Sequence, residues 1–555
     1  MRDQVQKLLE TAAARMLREH APDALALSSQ LSVVPGKSVE HGDFASNAAL
    51  VLAKPLRRAP REVAELLQAA LVDEAGVLER TEIAGPGFLN FFLARTRWHG
   101  VVAGVLRDGP AFGRSDAGQG QHVMVEFVSA NPTGPLTIGH GRNAVLGDCI
   151  ARLLEASGHK VTREYYFNDA GRQMRVLAQS LRARYLQLLG DAAELPEEGY
   201  QGEYLIEIAR ALVAQVGEGF RDASETDFRT RAVEAIFADI EGTLRGLGVR
   251  FDAYFNEHTL FERKRVEATL ADLRTRGLIF EQDGATWLRS TSFGLERDRV
   301  LVKSTGEATY LLPDLAYHRE TLQRGFDRVI DVLGPDHIAQ FPYVQAGIEA
   351  LGCEAGRVEL VMYQWVNLRR GGELVKMSTR KASFVTVDEV LGKVGCDVFR
   401  YFMVERRADT HLDFDLDLAE ERSDRNPVYK IQYAHARLCS IARKAADEGL
   451  ALAADPASIP LHRLVLPDEI ELAKLVGRWP DTLLHAANAR EPQEVARFLL
   501  ELANAFNAYI SDGKRHRVVS EDRELSSARL ALVSAVRIAL ASGLELLGIG
   551  APERM

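Results

Sequence analysis

Val123-Met-Val-Glu-Phe-Val-Ser-Ala-Asn-Pro-Thr-Gly-Pro-Leu-Thr-Ile-Gly-His-Gly-Arg142 is the stretch on which the reading of this chain turns. From His122 to Ser129 the residues are mostly apolar and rich in β-branched side chains, the pattern of a buried parallel strand. Ala130 to Gly139 carries Pro132, Gly134, Pro135 and Gly139, where a helix does not persist. From Arg142 the apolar positions Val145, Leu146, Ile150, Leu153 and Leu154 take helical spacing, up to a stop at Ser157-Gly158. Strand, glycine-bearing loop and helix predict the start of a nucleotide-binding βαβ unit, with phosphate at the free N–H groups of the helix N-terminus. His140 stands at that mouth, where it either donates a hydrogen bond to an anion or simply caps the helix. GxxxxGK[ST] does not occur, so the loop is not a P-loop.

Working outward, His159-Lys-Val-Thr-Arg-Glu-Tyr-Tyr166 reads as the second parallel strand. Asp327-Arg-Val-Ile-Asp-Val-Leu333 is another buried strand, and residues 358–363 form one more. The former ends in Gly334-Pro-Asp-His337; ligands of open parallel sheets sit at the carboxyl ends of strands, so His337 joins His140 as a candidate. Residues 171–275 read as a mostly helical insertion. Gly284-Ala-Thr-Trp-Leu-Arg289 and Asp298-Arg-Val-Leu-Val-Lys303 alternate like antiparallel strands. In Ala308-Thr-Tyr-Leu-Leu-Pro-Asp-Leu-Ala-Tyr-His318, Tyr310 and Asp314 fall on one side of a helix that has Pro313 in its first turn. Gly371-Gly-Glu-Leu-Val-Lys-Met-Ser-Thr-Arg-Lys-Ala-Ser-Phe384 is a basic loop bearing Lys376, Arg380 and Lys381; its composition alone fits a solvated surface.

The ends of the chain differ in kind. Residues 1 to about 115 predict a separate α+β unit, with helices over 2–20, up to Leu56 and over 61–71, then a glycine turn and the strand that carries Phe88 and Asn90. Two apart, these share one face; a core accepts the ring readily, whereas the amide needs partners. From about Asn426 the pattern is helical to the end, over 429–446, 472–484, 494–510 and 524–547, which predicts a bundle.

Composition excludes several classes. A chain of 555 residues with 46% hydrophobic and 26% charged content has ample core, and by length alone about three or four domains. Cys149, Cys353, Cys396 and Cys439 are isolated, so neither a zinc site nor a disulfide framework is expected. The N-terminal MRDQVQKLLETAAARML is an amphipathic helix rather than a signal peptide, and no apolar run of ~18 residues is found, so a cytoplasmic protein without a membrane span is expected. A net charge of −10 argues against indiscriminate nucleic-acid binding but leaves room for a partner gripped by local basic surface.

Several motifs together carry a family resemblance. Thr137-Ile-Gly-His140 stands where class I aminoacyl-tRNA synthetases have their HIGH signature, and Lys376-Met-Ser-Thr379 where they have KMSK. Glu126-Phe-Val-Ser-Ala-Asn-Pro-Thr-Gly-Pro135, Phe167-Asn-Asp-Ala-Gly-Arg-Gln173, Ala408-Asp-Thr-His-Leu-Asp-Phe-Asp-Leu-Asp417 and the closing Glu553-Arg-Met555 complete the set. In order and combination they resemble the bacterial type of arginyl-tRNA synthetase over essentially the whole chain.

The resemblance implies an α/β fold: a Rossmann-type parallel-sheet catalytic domain with insertions (116–425), an N-terminal appended tRNA-binding domain (1–115) and an all-α anticodon-binding bundle (426–555). It implies two steps, attack of the arginine carboxylate on the α-phosphorus of ATP, then transfer of the arginyl group to the terminal adenosine of tRNA, with activation waiting on bound tRNA. Catalysis then falls to His140, Lys376 and Thr137. Gly139, Gly141, Met377 and Ser378 join His140 and Lys376 around ATP, the two glycines leaving room for the nucleotide. Magnesium arrives with the nucleotide and no protein metal site is expected. Glu126, Asn131, Tyr310, Asp314 and His337 line the arginine site, and Phe88 and Asn90 bind a D-loop base of the tRNA. The implied protein is a monomer. Two positions depart from the signatures: Thr137 replaces a histidine, and Thr379 replaces a lysine whose charge Arg380 or Lys381 could supply. The alternatives are a catalytically impaired, synthetase-like tRNA-binding paralogue, another class I enzyme such as the cysteine one, which should show zinc-ligand cysteines, and a small-molecule nucleotidyltransferase.

Overall fold

The computed structural model of the chain describes residues 1–169, 171–375 and 385–555. Its backbone gathers into two compact units: Met1–Gly109 with Ala442–Gly477 and Tyr509–Val536, and Pro110–Ile441 with Arg478–Ala508 and Arg537–Met555.

In the second unit the strand His122–Glu126 is the centre of a five-stranded parallel sheet, in the order Val358–Met362, Arg328–Leu333, His122–Glu126, Lys160–Phe167, Ala253–Asn256. Chain order runs outward to one side of the central strand and then resumes on the other. The reversal, between His122–Glu126 and Arg328–Leu333, is the place where such sheets open a ligand crevice. Val123, Met124 and Val125 are fully buried, as a strand covered on both faces requires. The strand ends at Glu126, short of the expected Ser129, because the backbone turns through positive φ at Val128 (65°) and Ser129 (41°).

The following helix, Ile138–Ala156, starts before Arg142 and has most of its residues buried. Gly147 lets it lie close to the sheet: a Cβ there would come within 2.2 Å of the Phe127 ring. The stretch expected to be a mostly helical insertion is helical over Arg172–Leu188, Glu203–Val216 and Glu225–Gly246, but its strand Ala253–Asn256 joins the parallel sheet, with Phe255 stacked on Tyr166 at 5.8 Å. Four residues are too few to reveal a strand by periodicity. The alternating segments form a three-stranded antiparallel sheet, Ile279–Gln282, Ala285–Leu288 and Arg299–Val302. A further sheet of Glu373–Leu374, Val366–Arg370 and Leu412–Asp415 had no sequence signal.

The first unit holds a four-stranded antiparallel sheet, ordered Val34–Pro35, Phe44–Ser46, Phe88–Leu93, Leu78–Ala84, with helices Arg2–His20, Ala48–Leu56 and Pro60–Ala70. Val5, Leu9, Ala12, Ala13, Met16 and Leu17 form the buried stripe of the first helix, spaced as the amphipathic pattern requires.

After Asp415 the described residues contain no strand; the long helices are Pro427–Asp447, Pro467–Gly477, Trp479–Ala489, Gln493–Ser511 and Arg523–Leu546. The helix expected over 472–484 is two helices, with Pro480 in the first turn of the second, where its missing N–H costs nothing. Arg523–Leu546 is, by length and composition, long and apolar enough to cross a membrane, although Arg529 and Arg537 interrupt its apolar run; 78% of its apolar window is buried, as in a core helix.

Candidate active site

Thr137 is the N-cap of helix Ile138–Ala156 and His140 its third residue, and the two form a capping box. The His140 Nδ1 accepts from the Thr137 backbone N–H at 3.2 Å and lies 3.2 Å from the Thr137 hydroxyl. With Nδ1 an acceptor, the proton of the neutral ring sits on Nε2. Burial pushes the ring's pKa down to about 4, which keeps it neutral. Capping and anion binding are therefore compatible: one nitrogen caps while the other remains a donor at a helix N-terminus.

The two glycines differ. A Cβ on Gly139 would meet nothing nearer than the Thr137 Oγ1 at 3.8 Å, so its surroundings are open. On Gly141 it would approach Phe399 to 2.6 Å and Val387 to 2.9 Å. The expectation that Gly141 leaves room for a nucleotide is thus corrected: close packing of side chains explains this glycine.

The loop before the helix is held from below. Val128, a β-branched residue at positive φ, carries strain of ~1–3 kcal/mol. Its N–H donates to the Asn143 side chain at 2.8 Å, and the Asn143 amide donates to the Val332 carbonyl at 2.9 Å. Arg142, fully buried, donates to the carbonyls of Gln364, Arg407 and Thr410 at 2.7–2.9 Å, tying the signature helix to the Ala408–Asp417 motif.

Acid groups collect at the crevice. Glu126 is 7% exposed and accepts from the Ser129 hydroxyl at 2.9 Å; burial and then Asp331 push its carboxyl up to about 8. Asp314, half-buried, accepts from the Gln340 amide at 2.7 Å, and burial pushes it up to about 6. Glu257 is buried with Oε2 unpartnered among the described residues, and burial, Asp314 and Asp169 push it up to about 7. None of these three carboxylates forms an ion pair among the described residues. Such a cluster calls for a cation from outside.

The remaining expected residues lie further out. Tyr310, the N-cap of helix Leu311–Gln323, is 74% exposed and lies one turn before Asp314, whose N–H donates to the Tyr310 carbonyl at 3.3 Å while its carboxylate accepts from Gln340. Asn131 is exposed and donates to Gln173 at 3.0 Å; His337 is exposed at the end of the turn Pro335–His337. Lys376, Met377 and Ser378 lie outside the described residues, with Thr379, Arg380 and Lys381. Sequence reading missed Glu257, Gln340, Asn143, His318 and Asp331. The available signal was a charged residue inside an apolar strand, as Asp331 is within Arg328–Leu333.

In the first unit, Phe88 is 41% exposed and thus not the core residue its chemistry first suggests. Asn90 is 3% exposed, and nothing among the described residues bonds its side-chain amide.

Known proteins match the whole of this arrangement. Residues 3–93 match the arginyl tRNA synthetase N terminal domain family, residues 102–409 the class I (R) tRNA synthetase catalytic domain, and residues 431–555 the DALR anticodon binding domain. An arginine–tRNA ligase of Desulfotalea psychrophila is 50% identical over 515 residues, 93% of each chain. That of Desulfosudis oleivorans is 44% identical over 562 aligned residues, 100% of both. The Thermus thermophilus arginyl-tRNA synthetase structure superposes with a TM-score of 0.76 at 25% identity, covering 100% of both chains. Three family domains in order and full-length identity at this level leave one conclusion: the chain belongs to the arginyl-tRNA synthetase family.

Proposed function

We propose that this enzyme, by family an ATP-dependent arginine–tRNA ligase, binds the ATP phosphates at the N-terminus of helix Ile138–Ala156 and the arginine over the acid-lined crevice beside it. The observation that carries the reading is the trio Glu126, Asp314 and Glu257: buried or half-buried carboxylates whose pKa values burial raises and which form no ion pair among the described residues. A guanidinium has five donors in a planar fork and a fixed charge, so it satisfies two carboxylates and an amide such as Gln340 together. A lysine ammonium lacks that geometry.

On this reading the arginine carboxylate attacks the α-phosphorus, the bond to the β-phosphate breaks, and pyrophosphate leaves. The arginyl group then passes to the terminal adenosine of tRNA. The protein's task is placement and charge stabilisation. The His140 Nε2–H donates to a phosphate oxygen without adding a net charge, and the helix dipole adds to it. Lys376 follows the charge that develops on pyrophosphate, with Met377 and Ser378 beside it and Thr137 in the signature. Magnesium comes with the nucleotide. Asn131, Tyr310 and His337 close over the arginine from the exposed side, and Phe88 stacks on a tRNA base while Asn90 bonds its edge. We take the chain as three functional parts, 1–115, 116–425 and 426–555, acting as a cytoplasmic monomer.

The test is ATP–pyrophosphate exchange with each amino acid in turn, with and without tRNA. Exchange with arginine alone among the amino acids, and dependent on tRNA, is expected; no exchange with any would favour a silent tRNA-binding paralogue, which the match to a catalytic family at full length does not support.

A further inference from the structure

Glu164, Glu126 and Asp331 face one another on three neighbouring strands, since Glu126 is in register with Glu164 on one side and with Asp331 on the other. Register partners point to the same side of a sheet, so three buried carboxylates form a row across the crevice. Left alone, such a row would repel itself strongly.

The two outer members are provided for. Glu164 takes a two-pronged ion pair from Arg324 and a hydrogen bond from the Tyr317 hydroxyl at 2.9 Å. Asp331 is met by His318, whose Nε2 lies 2.9 Å from Oδ2; its other oxygen, Oδ1, is buried with no partner among the described residues. The second ring nitrogen of His318, Nδ1, lies 2.8 Å from the Asp314 carbonyl oxygen, which only accepts. Facing one carbonyl and an ionised Asp331, both nitrogens carry protons, so the ring is an imidazolium. Burial opposes that charge, but Asp331, Glu126 and the carbonyl together hold the ring up to about 9. The middle member, Glu126, has hydroxyl donors, Ser129 at 2.9 Å and Tyr317, but no ion pair among the described residues.

We infer that His318 is a positioning residue for arginine binding: its imidazolium cancels the charge of Asp331, so that Glu126, between two neutralised neighbours, stays free to ionise against a cationic group of the substrate. The inference rests on the reading of Glu126 as part of the arginine site. The groups that bear on Glu126 are His318 and Tyr317 from helix Leu311–Gln323, Ser129 from its own loop, Asp331 from one neighbouring strand, and Tyr166 and Glu164 from the other, the last paired to Arg324. With the histidine uncharged, Asp331 would hold Glu126 protonated to higher pH and the substrate would lose its anion.

The test is the arginine KM of the full-length enzyme in ATP–pyrophosphate exchange with tRNA, from pH 6.5 to 8.5. His318→Gln keeps a donor toward Asp331 without the charge. It is expected to raise the arginine KM about tenfold at pH 7, a shift of roughly one pH unit in the profile, with the ATP KM within about twofold of the parent. Asp331→Asn keeps an amide oxygen as acceptor for the ring but removes the anion, so its profile moves to lower pH. The double variant returns toward the parent. A purely structural hydrogen bond predicts that both single variants move alike and the double is no better; that result overturns the inference, as does an H318Q profile identical to the parent's. If H318Q does not fold, the direction of the Asp331→Asn shift decides alone. Glu126→Gln separates the two levels. An unchanged arginine KM in that variant removes Glu126 from the arginine site; a raised KM combined with like-signed His318 and Asp331 effects leaves the site in place and rejects only the charge-balancing role.

Discussion

Thr137 and Thr386 are joined by an antiparallel β-bridge, and each is the N-cap of its own helix, Ile138–Ala156 and Val387–Val394. The bond runs from the Val387 N–H to the Leu136 carbonyl at 2.9 Å, and both caps close a capping box. Two helix N-termini are therefore fixed side by side, one behind each signature in chain order, and their positive dipole ends reinforce one another.

Removing one cap separates its structural and functional shares. Thr386→Ala loses the bond from the Glu389 N–H and is expected to cost about 1 kcal/mol in urea unfolding. The exchange kcat should fall several-fold with the arginine KM unchanged. A raised arginine KM instead would mean that the bridge organises the amino-acid crevice rather than the nucleotide mouth.

The two signature glycines should respond differently to alanine. Gly141→Ala must displace Phe399 and Val387, and such overpacking costs ~1–3 kcal/mol of stability. Gly139→Ala meets open space, so its melting temperature should match the parent while the ATP KM rises. Equal melting temperatures for both would show that Phe399 yields freely.

Asp314 is expected to trade stability for binding. Burial raises its folded pKa to about 6, so folding favours the protonated form. That contribution is fully present below the unfolded value near 4, is lost as pH rises through 6, and leaves a net cost at pH 7. After discounting for partial exposure, Asp314→Asn should gain about 1–2 kcal/mol in unfolding at pH 7 without ligand. The same variant should lose roughly 10²–10³ in kcat/KM for arginine, as expected for a charge-assisted contact, and retain tRNA binding. Equal activation by variant and parent would take Asp314 out of the pocket.

Phe88→Ala should raise the tRNA KM in charging by the ~1–3 kcal/mol of one stacked base, about 5- to 150-fold. Its melting temperature should be unchanged, because the ring is 41% exposed. Asn90→Ala should also raise the tRNA KM; an unchanged value would return Asn90 to a role in its own sheet.

Much of this molecule was legible one residue at a time. The central strand, the glycine-bearing loop, the helix behind it, the flanking strands 160–167 and 328–333 and the helical C-terminal part all follow from apolar period and turn chemistry, which act over a few residues. The signature positions were legible through the family resemblance of Thr137–His140 and Lys376–Thr379, the latter lying outside the described residues. The strand Ala253–Asn256 escaped because its partner is distant in sequence, and the positive φ of Val128 because nothing in a valine announces it.

The sequence by itself determined a strand, a glycine-bearing loop and a helix N-terminus bearing His140, since apolar period and turn chemistry act locally; the role expected of Asp314 came from the family resemblance. Only the tertiary structure decided the charge balance around them. The row Glu164, Glu126, Asp331 exists because two parallel pairings set three strands in register, and His318 and Arg324 reach it from one helix and its end. Register and burial belong to the assembled sheet, and a carboxylate's ionisation depends on both.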